Sequence, residues 1–245
     1  VEIDKWIISE AIKLHEEIQE LNDNYAYHHV IQKIHNFCVH ELGGVYLDII
    51  KDRMYVTKSN SNARRSAQFA LFEVADILIR LISPVLVFTA EEIWQSHELF
   101  KKQSVSIFTA PQKTLSEIES SISDDDWKKI FAVKDAVNQS IEKARADSVI
   151  KGSLDSKIII SCDKKTYNAL EKIEDELKFV FISSEVEIAE SSSSKLDIEV
   201  TNFDQKKCIR CWNKCSSVGL YVEDPEICSR CYTNVYGDGE IRKFV

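Results

Sequence analysis

Residues 207–234 read KCIRCWNKCSSVGLYVEDPEICSRCYTN and hold five of the seven cysteines of a 245-residue chain. Four of the five form two Cys-x-x-Cys pairs, Cys208/Cys211 and Cys228/Cys231. Two thiolates separated by two residues converge on one side of a tight turn, about 2.3 Å from a shared metal, and a second such turn completes a tetrahedron. The spacing therefore points to one structural Zn2+ in a closed four-sulfur shell, which leaves no position for a catalytic water. Iron in the same four thiolates stays open at this level, and a redox dithiol or a disulfide pair is the weaker alternative. Cys215 offers an alternative pairing through Cys211-x-x-x-Cys215, ranked below because the two identical Cys-x-x-Cys turns form a symmetrical set without it. The segment 204–245 has too little apolar content to fold unaided, so a metal staple suits it.

Arg210 lies inside the first pair and Trp212 directly after it. A guanidinium and an indole projecting from a metal-anchored turn can bind phosphate and stack on an unpaired base. Equally, Trp212 can cover the metal site while Arg210 pairs with an acidic neighbour.

Upstream, the period of the apolar residues is helical. Ile3, Ile7, Ala11, Leu14, Ile18 and Leu21 form one stripe, and Val30, Ile34, Cys38, Leu42, Val45 and Ile49 a second, weakened by Gly43-Gly44. A third runs Ala67, Leu71, Val74, Leu78, Leu81 before Pro84. Thr89 and Glu92 have capping-box spacing, and Trp94 is expected in the core beside Phe88 and Ile93. Ser123 ahead of Asp124, Asp125 and Asp126 opens another helix, with its stripe on Ile130, Val133, Val137, Ile141 and Ala144. After Gly152 the period shortens: KIIIS, KFVFIS, VEIAE and KLDIEV read as strands, with KKTYNALEKIEDEL helical between the first two. The run Ser191–Ser194 reads as a turn or hairpin loop. The expected fold is mostly α: a helical bundle over 1–150 with a linker or long loop at 101–123, a small α/β unit over 151–203, and a zinc unit over 204–245.

Composition limits the function. A net charge of −9 argues against indiscriminate nucleic-acid binding. Residues 205–245 nevertheless carry seven Lys or Arg against five Asp or Glu, a balance of +2. The absence of a long apolar run argues against a membrane span, and the odd cysteine number with no export signal points to a reducing cytoplasm. A chain that opens on Val1 fits an excised fragment.

The cysteine tail followed by NVYGDGEIRKFV resembles the C-terminal end of bacterial-type isoleucyl-tRNA synthetases. NFCVHELGGVYLDIIKDRMY and RRSAQFALFEVADILIRLISPVLVFTAEEIW are similar to the helical anticodon-binding region of that family, and VNQSIEKARADSVIKGSL to the stretch that follows it. The family's His-x-Gly-His and Lys-Met-Ser-Lys-Ser signatures do not occur in this sequence. The resemblance therefore implies the tRNA-recognising part of an isoleucine–tRNA ligase, inactive alone. Its partners would be isoleucine tRNA and the catalytic and editing domains of the parent, with no membrane and as a monomer. It implies Cys208, Cys211, Cys228 and Cys231 as zinc ligands and Arg210 and Trp212 as RNA contacts. Lys51, Arg53, Arg64 and Arg65 match basic positions, although Asp48 and Asp52 could pair with such cations. Arg242, Lys243 and Phe244 could tuck against the zinc unit or reach RNA. A zinc-stabilised protein-interaction module without RNA contact is the alternative. A self-contained zinc hydrolase fails for want of an open metal position and a His–Glu–His arrangement.

Overall fold

The computed structural model describes residues 1–116, 118–193 and 195–245. These residues form two compact units, one of residues 3–48 with 66–120, the other of residues 1–2, 49–65 and 121–245. The contacts thus group the chain differently from the composition-based boundaries at 150/151 and 203/204.

The first unit is helical. Helix α1 (Glu2–Asp23) buries Ile3, Ile7, Ala11, Leu14 and Ile18 of its stripe, while Leu21 at its end is only half-buried. It ends in a turn where Tyr25 takes φ 56°. Helix α2 (Tyr27–Phe37) then runs into a nine-residue π-helical stretch, Cys38–Tyr46, before α3 (Leu47–Val56), most of which belongs to the second unit. The glycines explain the widened turn: a Cβ on Gly43 would lie 2.8 Å from the Cys38 carbonyl oxygen, and one on Gly44 3.1 Å from that of Val39. The π-turn also rotates the buried face, since each of its turns holds an extra residue. Phe37 and Tyr46 are buried, whereas Cys38, Leu42 and Val45 of the straight stripe are only half-buried. Tyr46 donates its phenol to Asp4 at 2.7 Å.

Helix α4 (Asn62–Ile82) stops ahead of Pro84. Helix α5 (Val87–Ser96) begins two residues before Thr89, has no side-chain cap, and so does not use the expected capping box. Trp94 is fully buried with Ile79, Ala90, Phe100 and Ile107. Phe88 points away from that core, 89% exposed, and Ile93 is 37% exposed, so the neighbours invoked for Trp94 were the wrong ones. Of the described residues in 101–123, several are tied down rather than left as a bare linker. Ser104 accepts from the Trp94 indole, Glu91 accepts from Ser106 and the Ile107 amide, and Lys113 pairs with buried Asp76 at 2.7 Å. A short helix α6 (Glu98–Lys101) leads into this segment.

In the second unit, Ser123 caps α7 (Asp124–Ala146) by accepting from the Asp126 amide. The whole predicted stripe from Ile130 to Ala144 is buried, with Trp127 and Lys134 added to it. Lys134 reaches the Val180 carbonyl at 2.9 Å. A three-stranded sheet in the order β2-β1-β3 packs on α7. Strand β1 (Ser156–Cys162) leads through α8 (Lys164–Glu171) to β2 (Glu185–Glu190), which pairs parallel to β1; β3 (Asp197–Asn202) pairs antiparallel to it. β2 and β3 lie on opposite sides of β1 and do not pair, so the described serines 191–193 do not belong to a hairpin between them; Ser194 lies outside the described residues. KFVFIS is not a strand. It forms the short helix α9 (Leu177–Val180) and a turn, with Phe179, Val180 and Phe181 all buried. A short apolar run buried on every side carries no period with which to tell the two apart. The last helix is α10 (Ser229–Tyr236).

Candidate metal centre and nucleic-acid interface

The four paired cysteines converge. Their sulfurs lie within 4.8 Å of one another and all four residues are buried. The Cys208 and Cys231 sulfurs are 3.7 Å apart, as are those of Cys211 and Cys228. Four ligands about 2.3 Å from a tetrahedral ion stand about 3.8 Å from one another, so the donor set and its spacing fit such an ion. The protein backbone builds both turns. In the first, the Trp212 amide donates to the Cys208 carbonyl and the Cys208 amide to Asn213. In the second, Cys228 opens α10, which carries Cys231, and its own amide donates to the Cys208 sulfur at 3.3 Å. Val56, Val218 and Ile227 pack around the sulfurs. Cys215 sits at the edge of this cluster, half-buried, with its sulfur 3.3 Å from the Ser217 hydroxyl.

Hydrogen bonds among these sulfurs perturb the thiols strongly. Hydrogen bonds from Cys228 and Cys231 push the Cys211 thiol down. Cys228 is pushed up to about 12 by its bond to Cys211, and Cys231 is also pushed up, again chiefly by Cys211. A divalent cation at the centre would take the place of the shared protons and hold every sulfur as thiolate.

Each cysteine turn carries an arginine in its third position, and both arginines hold α3. In Cys208-Ile209-Arg210-Cys211, Arg210 donates to the Val56 carbonyl at 2.7 Å. In Cys228-Ser229-Arg230-Cys231, Arg230 grips Asp52 with two prongs, 2.6 and 2.8 Å. Burial works against the Arg230 cation, but the hydrogen bond and charge of Asp52 outweigh it and hold the group well above its ordinary range. Asp52 and Val56 are one helical turn apart, so the two grips fall on one side of the helix. Arg64 approaches the next carbonyl, that of Thr57, at 3.5 Å. The last carbonyls of a helix lack partners within it and carry its negative dipole end, which is why cations collect there.

The residues after α10 complete the junction. Arg242 is buried, pairs with Asp52 at 2.8 Å and Glu240 at 3.0 Å, and lies 3.1 Å over the Phe179 ring. The amides of Lys243, Phe244 and Val245 all donate to the Glu176 carboxylate, at 2.6–3.0 Å. The tail thus tucks against the protein, and Arg242 has no face left for RNA. Gly239, at φ 90°, passes 3.1 Å from the Lys58 side chain at the position a Cβ would take.

The structure sorts the six residues expected at RNA. Trp212 is 63% exposed on its turn, beside the anchored Arg210. Lys51 and Arg65 are exposed, and Arg64 is half-buried near Arg210. Arg53 is only 1% exposed, so it offers nothing to a surface ligand. The resemblance implies it as a basic contact position; the packing of α3 turns it inward. Asp52 spends its charge on Arg230 and Arg242, both far away in sequence, a pairing that residue types near α3 do not reveal. Tyr55, 79% exposed and one turn beyond Lys51 on the same side of α3, is a surface aromatic that the sequence reading missed. Trp212 also takes φ 64°. A bulky residue pays a steric penalty in that region, and here no burial offsets it.

Comparison with known proteins places this geometry in a family. The family described as anticodon-binding domain of tRNA ligase matches residues 4–160. The chain is similar, over 99% of its length and at 41% identity, to the isoleucine–tRNA ligase of Alcanivorax borkumensis. It is 40% identical to that of Shewanella putrefaciens and 38% identical to that of Idiomarina loihiensis, over its full length in both cases. It spans 27% of the length of each of these relatives.

Proposed function

Because this chain belongs to the family of the anticodon-binding domain of tRNA ligases, we propose that it is the tRNA-recognising portion of an isoleucine–tRNA ligase. Its substrate-side partner is isoleucine tRNA, gripped through the anticodon stem and loop. ATP-dependent aminoacylation and editing belong to other parts of the parent protein, and this portion by itself does not activate isoleucine. The metal is one Zn2+, held by Cys208, Cys211, Cys228 and Cys231. When bound it supplies no reaction chemistry; a closed sulfur shell fixes two turns of backbone. A cytoplasmic, monomeric parent fits the family and the free thiols, and among the described residues no helix is long and apolar enough to cross a membrane.

The observation that carries this reading is Trp212: an exposed indole in a strained conformation, on a turn anchored by the sulfurs and next to a held guanidinium. Such a platform suits an unpaired base with its phosphate. Arg64, Arg65 and Lys51 extend the cationic surface; Arg53 is left out of it. A second reading, a protein-interaction module, draws on exposed Ile209, Leu220, Val222 and Ile241 around the same turn.

Filter binding separates the two. The chain should bind isoleucine tRNA at least about tenfold more tightly than the same tRNA with a replaced anticodon, with affinity falling steeply as salt rises. Weak, salt-insensitive binding that ignores the anticodon would favour the protein-interaction module.

A further inference from the structure

We infer that Asp52 is a positioning residue that sets the metal-anchored turns in register with helix α3, so that Trp212 and the Lys51–Tyr55 face of α3 present one RNA-binding surface. This rests on the RNA-binding reading above and adds to it a named device and a second aromatic contact.

Cys-x-Arg-Cys occurs twice, at 208–211 and 228–231. A four-sulfur site fixes the shape of its own two turns, but it does not fix where those turns sit on the rest of the protein. Lys58 meets Asn234 and the Gly237 carbonyl, and the Lys214 amide donates to Ser184, but the contacts that leave the third position of each turn for α3 are those of the two arginines. Arg210 uses a neutral carbonyl, Val56, and Arg230 uses a carboxylate, Asp52, one turn earlier on the same helix. Two anchors on two turns remove the rotation that a single anchor would permit. Asp52 carries the larger share, because it also takes Arg242 from the tail. Charge-assisted, two-pronged bonds to a planar guanidinium impose direction as well as strength.

The surface that results is consistent with the proposed ligand. Tyr55 lies between Asp52 and Val56 in sequence, and Lys51 directly precedes Asp52, so both border the anchored side of the helix. Both are exposed, as is Trp212 across the junction. Two aromatic rings with a cation beside each can accept successive unstacked bases. If the register slipped, each ring would remain exposed but the pair would no longer match one RNA strand.

The test uses the whole 245-residue chain with Asp52→Asn, Asp52→Glu, Trp212→Ala and the double variant D52N/W212A. Metal content, amide exchange in residues 208–212 and 228–232, and affinity for isoleucine tRNA are measured. All variants should keep one metal per chain. Asp52→Asn should speed exchange in both turns and weaken RNA binding about tenfold, Asp52→Glu should restore both, and the double variant should bind within about threefold of Trp212→Ala alone, as expected for residues that act as a unit. Unchanged exchange in Asp52→Asn overturns the proposal. So do losses that multiply to about a hundredfold, which mark independent sites. A wild-type chain with no anticodon-dependent binding removes the functional reading and the proposal with it. A chain that does bind, and binds equally well as Asp52→Asn, removes the proposal alone.

Discussion

The sulfurs of Cys208 and Cys231 stand 3.7 Å apart although the residues are 23 positions apart in sequence, and each belongs to a different backbone turn. Only the two turns together bring four buried thiols into one tetrahedral group. Cys211→Ser should therefore abolish metal binding, while Cys215→Ser should leave it at one ion per chain. X-ray absorption on the zinc-loaded chain should show four sulfurs at about 2.3 Å. Chelation should expose residues 204–245 to protease, since structural zinc in small units contributes on the order of 10 kcal/mol.

Trp212 separates stability from binding. Its φ of 64° suits glycine, and its side chain is 63% exposed, so Trp212→Gly should leave stability unchanged or raise it by about 0.5–1 kcal/mol. The same substitution should weaken tRNA binding by about 1–3 kcal/mol, the worth of one stacked base. Chemical denaturation and equilibrium binding on the same preparation check both signs.

Gly43 sets two effects against each other. Alanine has the better helix propensity, by about 1 kcal/mol. A Cβ there, however, would lie 2.8 Å from the Cys38 carbonyl, and the backbone of the π-turn would have to shift. The clash should win: Gly43→Ala should destabilise by about 1–3 kcal/mol in urea titration, the usual cost of overpacking.

Acid should loosen the start of α7. Burial tends to raise the Asp126 pKa, but hydrogen bonds from Lys172, at 2.6 Å, and Ser123 outweigh it and hold the carboxyl below its ordinary range. A depressed folded-state pKa means a contribution that is complete above the unfolded value of about 3.9 and is lost as pH falls through the lower folded value. Stability measured from pH 6 downward to about 2 should therefore fall less steeply for Asp126→Asn than for the wild type.

Much of this architecture was legible where one physical signal dominated. The stripe from Ile130 to Ala144 has a single helical period and is buried throughout. The two cysteine pairs have the spacing of one shared centre, and their sulfurs do converge. Reading failed where two signals competed or where the cause was remote. Residues 179–182 of KFVFIS are uniformly apolar, so their period could not distinguish strand from helix. The π-turn at Gly43 and Gly44 moved burial to Phe37 and Tyr46 and left the extrapolated stripe half-buried. Asp52 meets Arg230 and Arg242 across 178 and 190 positions, and no local pattern predicts such a meeting. The one available clue was the arginine repeated at the third position of both cysteine turns.

On the proposed reading, the cysteine-anchored turn and α3 together receive the anticodon loop. Photocrosslinking isoleucine tRNA to this chain, with the attached residues identified by mass spectrometry, tests it most directly. The account predicts crosslinks from anticodon-loop bases to Trp212 and Tyr55, lost when the four cysteines are stripped of metal. Crosslinks confined to residues 3–48 and 66–120, with none at Trp212 or Tyr55, would contradict it.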